Sequence, residues 1–218
     1  MNTARLQKLE TYQLMQGSHS DFEGGMCAME FVAWLAEEPH SDAPDCACPV
    51  LAAFMRTWND SLGDEDRNRL LKPLIPRLVG SRSTPEVEKQ RSYLALDWLI
   101  REFLPTWLEQ VDSLRAHAVE IRALETIRDI ESAKAAGPNV RAAWVAARVA
   151  ARAAAGDAAR VAAWVAAWDA AWDAARGAAW VAARGAARGA IQTAVARVQI
   201  SALDLVDRML ACGESSGV

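Results

Sequence analysis

Apolar residues recur at three- and four-residue intervals along most of this 218-residue chain, and no stretch alternates apolar with polar over the length of a strand. The pattern predicts helices throughout and no sheet. Residues 2–15 read as a short polar helix ended by Gly17. Ser20-Asp21-Phe22-Glu23 has the spacing of a capping box ahead of an apolar segment, Met26 to Glu38. Pro39 to Asp45 reads as a loop, and Pro49 suits the first turn of a helix running to about Ser61. Asp64-Glu65-Asp66 places acids at the next helix start, and Pro73 and Pro76 break that helix. Ser83-Thr84-Pro85-Glu86 opens a helix whose core stripe is Tyr93, Leu96, Ile100, Phe103 and Trp107. Val111, Leu114, Ala118, Ile121, Leu124 and Ile127 form a second stripe. Gly137-Pro138-Asn139 is the strongest break signal. Beyond the repeat described next, Ile191, Val195, Val198, Leu205 and Met209 share one side of a last amphipathic helix.

From Ala142 to Gly189 almost every block of four reads Ala-Ala-(Trp or Arg)-x. Alanine is the best helix former, so this run is helical. Four residues advance about 400°, so a period-four line drifts about 40° per repeat and makes no straight seam. One unbroken helix from Pro138 to Ala211 would be about 110 Å long. A compact globule of this size has a radius of gyration of about 17 Å. A turn is therefore expected, and Gly156-Asp157 offers a glycine followed by a capping residue. The expected fold is all-α: an acidic multi-helix domain over 1–136, an Ala/Trp-rich helical hairpin or bundle over 137–212, and a tail at 213–218.

Charge separates the same regions. Residues 1–140 hold 15 Lys+Arg against 22 Asp+Glu, whereas 141–197 hold eight Arg against three Asp. A basic repeat beside an acidic body predicts packing of one on the other, or an acidic partner. Trp164, Trp168, Trp172 and Trp180 serve in one reading as the large groups that fill the space alanine leaves. In the other they form an exposed binding surface with Arg176, Arg184 and Arg188, Trp and Arg being the residue types enriched in binding hot spots. That surface suits self-association or a protein partner. A nucleic acid is the alternative partner, opposed by Asp157, Asp169 and Asp173 within the repeat.

Chemistry-bearing residues are few. Cys27, His40, Cys46 and Cys48 lie within 22 residues of sequence and supply the ligand types of a structural zinc site. They lack paired C-x₂-C spacing, so the competing expectation is a small buried cysteine and ordinary thiols at a helix start. A cysteine-dependent enzyme would use His40 as base and a Cys46 or Cys48 thiol acidified by the helix after Pro49. Asp97 and Arg101 have the spacing of a structural ion pair. Glu37, Glu38, Asp42 and Asp45 read as a solvated helix end and loop, or as ligands for a hard cation. There is no P-loop, G-x-G-x-x-G, H-E-x-x-H or G-x-S-x-G. Met1 to Met15 has no apolar signal core, and charged residues or Trp interrupt the apolar repeat every four positions, so a cytoplasmic protein without a membrane span is expected.

Cys27 to Ala36, Pro39-His40-Ser41-Asp42, Cys46 to Val50, Leu71 to Gly80 and Leu94 to Trp98 together resemble a group of small proteins of actinobacteria and their phages, over roughly residues 20–115. The Ala-Ala-Trp-x blocks are similar to those of phage and bacterial proteins without an assigned activity. The resemblance implies a bacterial or phage cytosolic origin and carries over no site residue.

Overall fold

The computed structural model describes residues 3–165 and 173–212; side chains at 151 and 153–190 lie outside that description. The protein is all-α, and among the described residues there is no strand. The helices are α1 (Thr3–Thr11), α2 (Ala28–Leu35), α3 (Pro49–Ser61), α4 (Asp64–Leu71), α5 (Ile75–Leu78), α6 (Pro85–Trp98), α7 (Leu104–Leu108), α8 (Arg115–Arg122), α9 (Ile130–Val165) and α10 (Asp173–Ala211). A π-helical turn, Leu99–Phe103, leads from α6 into α7, and a 3₁₀ turn, Asp112–Leu114, precedes α8. The chain divides into two compact units, Met1–Ala95 with Leu203–Val218, and Leu96–Ala202.

In the first unit α2 is the centre. Every residue from Ala28 to Ala33 is buried, as is Leu35, and α1, α3 and α5 pack against it. The predicted Ser20–Glu23 cap is not the start of this helix. Asp21 instead folds the 20–24 loop by accepting the N–H groups of Glu23 and Gly24. The cap is Cys27, whose thiol accepts the Glu30 N–H while Glu30 reaches back to the Cys27 N–H. A Cys-x-x-Glu box was illegible because Ser, Thr, Asp and Asn are the residues expected there.

Two arginines organise the rest of this unit. Arg67 is 2% exposed. Its Nε donates to the Asn59 carbonyl at 2.9 Å, Nη2 to that of Leu62 at 2.5 Å, and Nη1 to that of Leu14 at 3.5 Å and to Asp64 at 2.6 Å. It thus ties the α1–α2 connection and the end of α3 to α4. Arg91 donates to the carbonyls of Met209, Ser81 and Cys212, so a fixed cation closes the C-terminal end of α10, where unpaired carbonyls gather.

In the second unit Leu108, Leu114, Ala118, Ile121 and Ala143 form the core, with Ile100, Leu104, Leu124, Ala146, Ala147 and Ala150 packed against it. The expected stripe Tyr93 to Trp107 is only partly buried. The π-helical turn ahead of Pro105 inserts one extra residue, which rotates the following face by about 100°. Proline has no N–H to donate there, so the wider turn costs little. Asp97 and Arg101 pair as the spacing predicts, at 2.7 Å, and Asp97 also accepts the Ile127 N–H at 2.8 Å.

Gly137-Pro138-Asn139 and Gly156-Asp157, both expected as breaks, lie inside α9. The helix is set upstream of them, where the Asp129 carboxylate accepts the Ser132 N–H and hydroxyl. Once nucleated, alanine's propensity carries the helix through a proline that removes one internal hydrogen bond and through two glycines costing about 1 kcal/mol each.

Arg67→Ala should destabilise the protein by about 3–5 kcal/mol, because three carbonyls lose a charged donor. Arg67→Lys should recover little, since one ammonium cannot span the carbonyls of Leu14, Asn59 and Leu62. Urea midpoints of the three proteins measure this; a wild-type midpoint for Arg67→Lys would show that charge alone suffices. Ala143→Leu should cost about 1–3 kcal/mol by overpacking the α8–α9 contact, read in the same way.

Candidate functional site

The Cys/His group predicted from sequence does not form one coordination sphere. Among the described residues no three His, Cys, Asp or Glu side chains are placed to hold a metal ion. Each member has a separate task. Cys27 is buried in its capping role. Burial pushes its thiol up to about 12, partly opposed by the Glu30 N–H, so it stays protonated at physiological pH. Cys48 is buried at the start of α3, and its N–H donates to the Ser81 hydroxyl at 3.1 Å. Cys46 is partly exposed and lines a hollow of about 470 Å³ with Glu37, Glu38, Val79 and Gly80. Burial pushes its thiol above the ordinary value; the Gly80 N–H lowers it, and the Glu38 carboxylate raises it again. Burial and the Glu38 carboxylate both oppose the thiolate form of Cys46. Glu37, Glu38, Asp42 and Asp45 do not gather into a cation site either.

His40 belongs to a group that the sequence did not reveal, centred on Glu30. Glu30 is fully buried. Its carboxylate accepts the His19 N–H at 2.6 Å, the Cys27 N–H at 2.7 Å, and meets His19 Nδ1 at 2.7 Å. His40 Nε2 lies 3.6 Å from Glu30 Oε1, beyond hydrogen-bond reach, and its ring packs edge-on against Phe22. Burial raises the pKa of Glu30, but the Cys27 and His19 donors outweigh it and hold the carboxyl below the usual range. Gly25 closes the loop with φ +125, and a Cβ there would collide with Met15 and the His19 ring. No substrate atom can reach a carboxylate with so little exposure, so this group locks the 15–27 segment onto α2.

The other candidate surface lies on α9. Ala143, Ala146, Ala147 and Ala150 turn toward the α7–α8 core. At about 100° per residue, Ile130, Lys134, Arg141, Trp144, Val145, Arg148, Val149 and Arg152 fall on the opposite side, within an arc of about 140°. All eight are exposed. Trp144, at 58% exposure, is a repeat tryptophan that does not fill the core. The Arg148 guanidinium sits over its ring, 4.6 Å from the centroid. No Asp or Glu occurs between Glu131 and Asp157. Among the described residues Lys134, Arg141 and Arg148 have no carboxylate partner. The repeat residues singled out earlier (Trp164, Trp168, Trp172, Trp180, Arg176, Arg184 and Arg188) lie outside the residues whose side chains are described.

The chain matches no protein-family model, no curated protein and no solved structure. Among the described residues no helix is long and apolar enough to cross a membrane.

The lowered pKa of Glu30 gives its contribution to stability a definite sign. A carboxyl held low in the folded state stabilises above its unfolded value, and that contribution is lost as pH falls through the carboxylate range. Thermal melts should therefore lose stability on acidification, and Glu30→Gln should flatten this limb. At neutral pH Glu30→Gln should cost about 1–3 kcal/mol, because an amide NH₂ would face a backbone N–H. An unchanged acid limb in Glu30→Gln would assign the effect to other carboxylates.

Proposed function

We propose that this protein acts by binding, as a helical interaction protein whose contact surface is the outward stripe of α9 and the Ala-Ala-(Trp/Arg)-x repeat that continues it. The observation that supports this reading is a single one. The largest side chain of the described repeat, Trp144, stands in solvent beside exposed Val145 and Val149, while the alanines face the core. A tryptophan packs well on a partner and gains nothing from water. An arginine stacked on its face holds it in place. Arginine and tryptophan together are the pair most enriched where binding energy concentrates. The contact is with a protein, either a second copy or another chain.

The reading yields a direct test. Trp144→Ala with Val149→Ser should leave the melting temperature nearly unchanged, because neither residue contributes to the core. Light scattering of the full chain, alone and with candidate partners, should show an assembly larger than a monomer that this double variant dissolves. A double variant that assembles as the wild type does would remove the stripe from any contact.

A further inference from the structure

We infer that the stripe of α9 is a docking face for an acidic amphipathic helix of another protein. This rests on the interaction reading above and names the occupant.

Lys134, Arg141 and Arg148 follow one another at intervals of seven residues, and Arg152 stands one turn beyond. On α9 seven residues span about 10.5 Å, and the whole stripe from Ile130 to Arg152 spans about 33 Å. A helix lying alongside repeats its own face every seven residues, so acids in successive heptads of a partner meet these cations in register. Ile130, Val145 and Val149 lie among the cations and supply the apolar positions that an amphipathic partner covers.

Two other occupants fit less well. A two-fold pairing of the stripe with itself would set Lys134, Arg141, Arg148 and Arg152 against the same four cations of the second copy. Like charges so juxtaposed cost several kcal/mol. A nucleic-acid strand would satisfy the arginines, but Ile130, Val145 and Val149 gain little against phosphates, and between Ile130 and Arg152 the stripe offers Trp144 alone for base stacking. Among the described residues no carboxylate holds Lys134, Arg141 or Arg148 in an ion pair that an acidic partner would have to displace.

The test uses the full-length protein and three fluorescently labelled probes read by anisotropy. The first is a synthetic helical peptide of about six turns with a Leu stripe flanked by Glu at heptad intervals. The second has those Glu replaced by Lys. The third is oligothymidylate. The Glu peptide should bind, and Trp144→Ala should weaken it by about tenfold or more. Arg141→Glu with Arg148→Glu should lose the Glu peptide and gain the Lys peptide, a reversal that a general loss of structure cannot produce. Circular dichroism should show both variants as helical as the wild type. Tighter binding of oligothymidylate than of the Glu peptide, falling steeply with salt, would overturn the inference in favour of a nucleic acid. Assembly of the full chain through Trp144 with no binding of either peptide would also overturn it, while leaving the interaction reading intact. With neither assembly nor probe binding, both fail.

Discussion

Alanine is too small to hold a long helix against a core unaided, and the architecture of the second unit follows from that. A buried methyl removes little apolar area, so each alanine of α9 contributes a fraction of what a leucine would. What the small side chain allows is close approach. Ala143, Ala146, Ala147 and Ala150 pack into the cluster that holds Ala118 and Ile121 of α8, and α9 puts no side chain larger than a methyl group into it. The larger repeat residues have no room on that side and are left outside. Exposure of Trp144 and Arg148 is thus the geometric complement of alanine packing. The surface proposed for binding exists because the core-facing side is made of methyl groups.

The first unit solves a different problem by different means. Its α2 is buried on nearly every side, yet the segments around it are short and rich in turns. Irregular backbone in a small domain exposes carbonyls and N–H groups that water cannot reach. Three charged side chains meet that need: Glu30 collects N–H groups, and Arg67 and Arg91 collect carbonyls. A buried charge is expensive alone, and each is kept because the backbone surrounds it with complementary dipoles. The buried carboxylate, with two imidazoles and a thiol nearby, has the composition of an active site. Its inaccessibility and its donors make it a backbone anchor.

Much of the fold was legible, because helix starts are written in short-range chemistry. Pro49 to Ser61, the acids at Asp64 and the Thr84-Pro85 start all appear where local rules put them. What local rules missed was decided elsewhere. Pro138 lies inside a helix because the cap at Asp129 and the alanines after it outweigh one lost hydrogen bond. The Cys27 cap was hidden by residue type. The π-helical turn was hidden because a single added residue leaves no mark on composition. Sequence proximity suggested that Cys27, His40, Cys46 and Cys48 act together, but Cys27 caps α2, Cys46 faces Gly80 and Glu38, and among the described residues no three such side chains converge on one point. For the α9 stripe, composition gave the residue types, and only the packing of Ala143 on α8 says which side of the helix faces out. That choice extends the surface upstream to Ile130 and Lys134, before the repeat begins.

The period of the repeat also limits the surface it makes. A residue recurring every fourth position advances about 40° per repeat around the helix, so it stays on any one side for about four repeats before turning away. Trp144, Arg148 and Arg152 are three successive members of that line and cross the outward arc in order. The seven-residue spacing of Lys134, Arg141 and Arg148 drifts more slowly, by about 20° in the opposite sense. The two lines meet at Arg148, which belongs to both and also stacks on Trp144. In the proposed docking, a partner helix following the heptad cations would cross the tryptophan at this point. The stacked pair is where apolar area and charge are offered together, which makes it the centre of the docking face proposed above.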